Sequence, residues 1–116
     1  MTRTGELAGK PPILTEASKE SYGGYAPGYL SYSEDELQQV KAAYYAMVSL
    51  VDDEVGRILT ALAEEGLAEN TVVVFTSDHG EMLGDHQLML KGPMIYDCAV
   101  RVPLIVRWPG QLPREE

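Results

Sequence analysis

Thr71-Val72-Val73-Val74-Phe75-Thr76 runs directly into Ser77-Asp78-His79-Gly80-Glu81. The first six residues are β-branched or aromatic, with no polar alternation. Such a run fits a strand buried on both faces, as in a parallel sheet covered by helices. The stretch that follows begins where that strand must end. In open α/β sheets, ligands bind beyond the carboxyl ends of the strands. An acid and an imidazole therefore emerge side by side where a site is expected. Gly80 behind them allows a sharp or left-handed turn that aims both side chains the same way. An oxygen donor beside a nitrogen donor is a half-set of ligands for a divalent cation, with the remaining ligands drawn from elsewhere. The same pair also reads as an ordinary turn, because Asp favours strand ends for local hydrogen bonding.

Upstream of this stretch the pattern is helical. Ser33 is an N-cap with Glu36 three residues on, a capping box. Glu34, Asp35 and Glu36 set negative charge at the positive end of the helix dipole. Leu37, Val40, Tyr44, Met47, Val48, Val51, Val55, Ile58, Leu59 and Leu62 follow at steps of three and four. Gly66 is the natural stop. Unbroken, this helix extends roughly 48 Å at 1.5 Å per residue. Downstream, Val102-Pro103-Leu104-Ile105-Val106 is a second apolar run, closed by Pro109-Gly110. Helix, strand, long loop and strand in that order predict an α/β fold.

Residues 1–32 differ from the rest. Pro11, Pro12, Pro27 and five glycines punctuate them, with Tyr22, Tyr25, Tyr29 and Tyr32 interleaved. No helical or strand period holds, so this is read as an irregular arm lying on a larger body. Residues 33–116 form the second region, a partial domain. One helix and two strands of central-sheet composition make a poor core on their own, so the chain is expected to be a fragment of a larger domain.

Composition narrows the classes of function. Across 116 residues, 18 acids face 9 bases, for a formal charge of -9 and a pI near 4.6. Nucleic-acid binding needs clustered Lys and Arg, and docking on an anionic membrane needs a basic patch, so neither partner is expected. No apolar run reaches the ~20 residues that span a bilayer. The N-terminus MTRTGELAGK lacks the apolar core of a signal peptide, so the chain as it stands is expected to be cytoplasmic. A single cysteine, Cys98, excludes an intrachain disulfide framework.

Several other residues carry two readings each. His86, in Gly84-Asp85-His86, is either a further donor or a histidine hydrogen-bonded to Asp85 or Glu81. Lys91, thirteen residues after Asp78, either holds an anionic oxygen of a substrate as a point charge or is a solvated surface lysine. Asp52-Asp53-Glu54 are adjacent on a helix and do not face one way, so a partner for Arg57 or solvent is the simpler assignment. Cys98 has no base beside it in sequence and reads as a small packing residue.

Taken together, Tyr44-Tyr45-Ala46-Met47-Val48, Asp52, Gly56-Arg57, Asn70 through Glu81, Leu83-Gly84-Asp85-His86, Lys91, Val102-Pro103-Leu104-Ile105 and Pro109-Gly110 resemble the sulfatases of the alkaline-phosphatase-like superfamily. The ordered series TSDHGE, LGDH, K, VPLI and PG is far more specific than any one motif in it. The resemblance implies a large α/β sandwich with a mixed, mostly parallel sheet. It implies that Asp78 and His79 bind the active-site metal, Ca²⁺ first and Mn²⁺ as the alternative. It implies that Lys91 contacts the sulfate oxygens and that His86 stands behind the ligands. The implied activity is metal-dependent sulfuric ester hydrolysis, with phosphodiester or phosphonate monoester hydrolysis as the alternative within the superfamily.

The departures are equally informative. The family nucleophile is a formylglycine made from Cys or Ser in a Cys/Ser-x-Pro/Ala-x-Arg motif. Cys98 is followed by Ala99-Val100-Arg101-Val102 and lies after the metal pair, so it is not that residue. The early Asp-Asp metal pair and the mid-chain His and Lys of the family are absent too. The resemblance therefore implies the C-terminal part of a catalytic domain, with its missing N-terminal part as partner. A truncated, non-catalytic binding module is the reading from a different class.

Overall fold

The computed structural model describes residues 8–20, 24 and 26–112. Five elements organise them. These are helix α1 (Pro12–Lys19), helix α2 (Glu34–Glu64), strand β1 (Val73–Thr76), the short helix α3 (Asp97–Val100) and strand β2 (Leu104–Arg107). The order of helix, strand, long loop and strand is the α/β order read from the sequence.

Helix α2 forms for the reasons its sequence gives. The Ser33 backbone N–H donates to Glu36 Oε2 at 2.7 Å, and the Glu36 N–H donates back to Ser33 Oγ at 3.2 Å. Those two bonds are the reciprocal capping box. At the other end Gly66 takes φ 68°. There the Leu67 N–H donates to the Leu62 carbonyl at 2.9 Å and the Gly66 N–H to Ala63 at 3.1 Å. This pair of bonds is a Schellman ending, which needs the left-handed residue that glycine supplies most easily. The 31-residue helix nevertheless buries only Leu37 among its side chains.

The arm differs from its reading as irregular chain, because Pro12–Lys19 is helical. Pro12 sits in the first turn, where its fixed φ suits the helix and its missing N–H costs nothing. The buried face consists of Leu14 and Ser18. A stripe of one large residue and small neighbours is too faint to register as a hydrophobic period. Tyr22 and Tyr25 lie outside the described residues. Tyr29 does pack on a neighbour, since a Cβ on Gly84 would come 3.2 Å from its ring.

The two strands pair antiparallel, Val73 opposite Arg107, Val74 opposite Val106, Phe75 opposite Ile105 and Thr76 opposite Leu104. The expected burial on both faces is not met. Val73 and Phe75 are half-buried, Val74 and Thr76 are exposed, and all four β2 residues are exposed. The long connection returns the chain in the reverse direction, so these strands by themselves do not make a mostly parallel sheet. No layer among the described residues covers them.

Two compact units result, Met1–Ala42 with Asp78–Val102 and Ala43–Ser77 with Pro103–Glu116. The first contains the core. Leu14, Met82, Leu88 and Ala99 cluster there, with Ala17, Met94, Tyr96 and Cys98 packed against them. Burying side chains such as Met82 and Leu88 is worth about 1.5–3 kcal/mol each. The second unit contains α2 beyond Ala42 and both strands, and none of its described residues is buried. No helix among the described residues is long and apolar enough to cross a membrane.

Candidate metal and anion site

Asp78 and His79 follow β1 by two and three residues. The His79 backbone N–H donates to Asp78 Oδ1 at 2.9 Å, which folds the carboxylate back over its own turn. His79 Nδ1 lies 2.8 Å from the Gly80 carbonyl oxygen. A carbonyl can only accept, so Nδ1 carries the proton and Nε2 is the lone-pair nitrogen. That Nε2 lies 3.5 Å from Asp78 Oδ2. The two side chains therefore sit on the same side of the backbone, with a carboxylate oxygen and an imidazole lone pair close enough to touch one cation.

The charge of the pair suits a cation as well. The His79 N–H bond holds the Asp78 carboxyl below its ordinary value of 3.8, with burial opposing the effect. Asp78 is thus an anion through the neutral range, with its side chain 84% exposed.

Gly80 serves a purpose other than the one its sequence predicts. It has no positive φ. Its Cα instead faces the Cys98 carbonyl so closely that any Cβ would collide with that oxygen. The approach is fixed by two backbone bonds, Gly80 N–H to the Ala99 carbonyl at 2.8 Å and Glu81 N–H to the Cys98 carbonyl at 3.1 Å. Glycine is required here for contact, and the contact ties the ligand turn to α3.

Between the pair and Lys91 the backbone is strained. Leu83, His86, Gln87 and Leu90 all have φ between 46° and 60° without being glycine. Such conformations persist only where surrounding structure imposes them, and they gather at functional sites. Here Met82, Gln87, Leu88 and Met89 are buried and clamp the loop. Glu81 turns its carboxylate inward to accept the Leu83 N–H at 3.1 Å.

His86 stacks on Tyr96, with ring centroids 4.0 Å apart and planes 21° apart. Its Nδ1 lies 3.5 Å from Lys10 Nζ, which also stands 5.6 Å above the Tyr96 ring. Sequence reasoning does not pick out Lys10 or Tyr96, and no motif signal marks either. Cys98 is a packing residue, as read. Burial pushes its thiol above the ordinary value, and the negative charge of Asp85 adds to the shift. Its Sγ lies 3.4 Å from Met82 Sδ. A thiol held protonated in this way is a poor nucleophile. Arg57 pairs with Glu54 on the surface of α2, the simpler of the two roles for that acidic run.

The donor chemistry fits a divalent cation, yet two side chains are only half a ligand set. No group of three or more His, Cys, Asp or Glu converges among the described residues.

The α/β order of the described elements fits the alkaline-phosphatase-like superfamily. The family model for sulfatases matches residues 9–116, and the chain belongs to the sulfatase family. It is 45% identical over 76 residues to an arylsulfatase of Clostridium perfringens, covering 66% of this chain and 16% of that protein. It is 52% identical over 66 residues to the sulfatase YidJ of Escherichia coli, covering 57% of this chain and 13% of that protein. Among solved structures, a phosphonate monoester hydrolase from Silicibacter pomeroyi superposes on 90% of this chain at a TM-score of 0.75 and 34% identity. The chain spans 21% of that structure. It is thus about a sixth or less of the length of the two curated relatives, and about a fifth of the solved one.

Proposed function

We propose that this chain is the part of a sulfatase-type catalytic domain that supplies two metal ligands and one anion-binding lysine for sulfuric ester hydrolysis. The observation carrying this reading is the 3.5 Å approach of His79 Nε2 and Asp78 Oδ2. Asp78 and His79 would hold the cation. Ca²⁺ comes first because the exposed carboxylate is a hard oxygen donor, and Mn²⁺ second because it also accepts imidazole. When bound, the cation offsets negative charge on the ester oxygens.

The chain's own residues do the rest of the positioning. The Nδ1–H bond to the Gly80 carbonyl fixes the imidazole tautomer and its orientation. Lys91 holds an anionic oxygen of the transferring group as a compact charge and stabilises it as charge develops. His86 supports the loop from behind, against Tyr96. The nucleophile, a formylglycine by family resemblance, belongs to the missing N-terminal part of the catalytic domain. The mostly parallel sheet belongs to the complete domain as well.

The test is transplantation. This chain would replace the matching segment of the Clostridium perfringens arylsulfatase, and aryl sulfate hydrolysis would be measured. The hybrid retains metal-dependent turnover, and Asp78→Ala or Lys91→Ala lowers kcat/KM by on the order of a hundredfold or more. A folded hybrid whose turnover ignores both substitutions would refute the assignment. Phosphonate or phosphate diester hydrolysis is the second reading, favoured by the superposition on a phosphonate monoester hydrolase. The same hybrid assayed on all three ester types ranks them.

A further inference from the structure

Three segments distant in sequence meet in the first unit, at Lys10 of the arm, His86 of the loop and Tyr96 before α3. All three residues are half-buried. The His86 and Tyr96 rings stack with centroids 4.0 Å apart. The Lys10 ammonium lies 3.5 Å from His86 Nδ1 and 5.6 Å from the centre of the Tyr96 ring. An ammonium only donates, so Nδ1 accepts and the ring proton of His86 sits on Nε2. A cation over a ring adds an attraction of its own. The contacts continue through the backbone. The Tyr96 carbonyl accepts the Ala99 N–H at 2.9 Å and the Val100 N–H at 3.0 Å, which starts α3. Helix α3 then offers its Ala99 and Cys98 carbonyls to the Gly80 and Glu81 N–H groups. The Gly80 carbonyl in turn holds His79 Nδ1. An unbroken series of contacts thus leads from the Lys10 ammonium to the imidazole of the Asp-His pair.

We infer that Lys10 is a positioning residue for the Asp78-His79 cation site, acting through the stacked His86-Tyr96 pair and α3. The inference rests on reading Asp78 and His79 as metal ligands. Groups that orient a ligand from outside the coordination sphere govern affinity nearly as strongly as the ligands do. Lys10 does so by shape and hydrogen bonding, and the sign of its effect shows this. An ammonium that acted on the site only through its charge would repel a cation, so removing it would tighten metal binding. An ammonium that holds Tyr96 and His86 in place has the opposite effect, because its removal loosens the turn. The backbone strain of the loop supports this role. His86 has φ 54°, a conformation that persists only where its surroundings impose it. The stack on Tyr96 and the bond from Lys10 are such surroundings.

The test uses the full isotope-labelled chain with Mn²⁺ as the probe. Lys10→Met keeps the aliphatic stem and removes the ammonium. Mn²⁺ binding, followed at His79, weakens by on the order of tenfold in this variant. Lys10→Arg, which keeps the charge, the donors and the contact with the ring, restores most of it. Tyr96→Leu weakens binding in the same way, and adding Lys10→Met to it brings no further loss, because the two residues act in one series. Without metal, ¹⁵N shifts read the ring tautomers separately, since the chain has only two histidines. In Lys10→Met, His86 loses its preference for the Nε2–H form, and the Gly80 and Glu81 amides move although they are distant in the chain. Should either variant fail to fold, the other decides through the same readouts. A wild-type chain that ignores Mn²⁺ counts against the ligand reading, and the tautomer and the Gly80 and Glu81 shifts then decide the role of Lys10. Unchanged or tighter Mn²⁺ binding in Lys10→Met, a loss that Lys10→Arg does not repair, or Gly80 and Glu81 amides that stay in place would overturn the inference.

Discussion

The two units of this chain obey opposite rules. The unit built from α1, the ligand loop and α3 buries Leu14, Met82, Leu88 and Ala99 in one cluster. The unit holding both strands and most of α2 buries none of its described residues, yet its strands are the most apolar part of the sequence. Apolar content and burial are thus uncoupled across a single chain. Hydrophobic residues stabilise only where other surface covers them. The first unit brings its own cover, including a helix from the arm. The second has no such cover among its described residues. This difference also explains why the Asp-His pair keeps a defined geometry: its turn is bonded to the covered unit through Gly80 and Glu81.

The comparison breaks most readily at Met82, which is 2% exposed. Met82→Ala costs about 2–5 kcal/mol of stability, read from the urea midpoint of the isolated chain. Val106→Ala on the bare sheet stays within about 0.5 kcal/mol in the same assay. Equal losses at the two positions would abolish the distinction between the units. Next in size is Gly80→Ala, where the new methyl meets the Cys98 carbonyl. Overpacking of this kind costs about 1–3 kcal/mol, and chemical shifts at Asp78 and His79 move with it. Full stability in the Gly80→Ala variant would show that the ligand turn is not tied to α3.

Smaller still is Ser33→Ala, which removes one side of the capping box on α2. The cost is about 1 kcal/mol, seen as lost helicity by circular dichroism. The smallest effect is an acid one. The Ser33 N–H and hydroxyl hold the Glu36 carboxyl below its ordinary value of 4.5, and the His79 N–H does the same for Asp78. A carboxyl lowered by folding contributes stability above its unfolded pKa and loses it as pH falls through the folded value. Stability is therefore flat from neutral pH down to about 4.5 as far as these two groups are concerned. Below that it declines, and Glu36→Gln shallows the decline. A profile unchanged by that substitution would remove the cap from the account.

Much of this is legible in the sequence, for local reasons. Helix α2 announces itself at both ends, by Ser33 with Glu36 and by Gly66, and those signals act within a few residues. The Asp78-His79 pair at the end of a β-branched run is legible as an acid and an imidazole side by side, and the TSDHGE series as a family resemblance. What is not legible depends on contacts distant in the chain. Gly80 is needed because the Cys98 carbonyl approaches it, which no neighbour of Gly80 in sequence reveals. The left-handed backbone at Leu83, Gln87 and Leu90 has no compositional mark, because none of these residue types favours it. Helix α1 escapes a sequence reading because Leu14 has only Ala17 and Ser18 to complete its stripe. The exposure of β1 and β2 is unreadable for a different reason. Their sequence describes a buried environment that the described residues do not supply.

The central claim is that Asp78 and His79 face one cation, with the Lys91 ammonium beside it. Titrating the isotope-labelled chain with Mn²⁺ tests this directly, because the paramagnetic ion broadens the resonances nearest to it. The account predicts that Asp78 and His79 disappear first, that Lys91 follows, and that Asp78→Asn abolishes the effect. Broadening centred on Asp52-Asp53-Glu54, or spread evenly over the acidic surface and indifferent to Asp78→Asn, would contradict it.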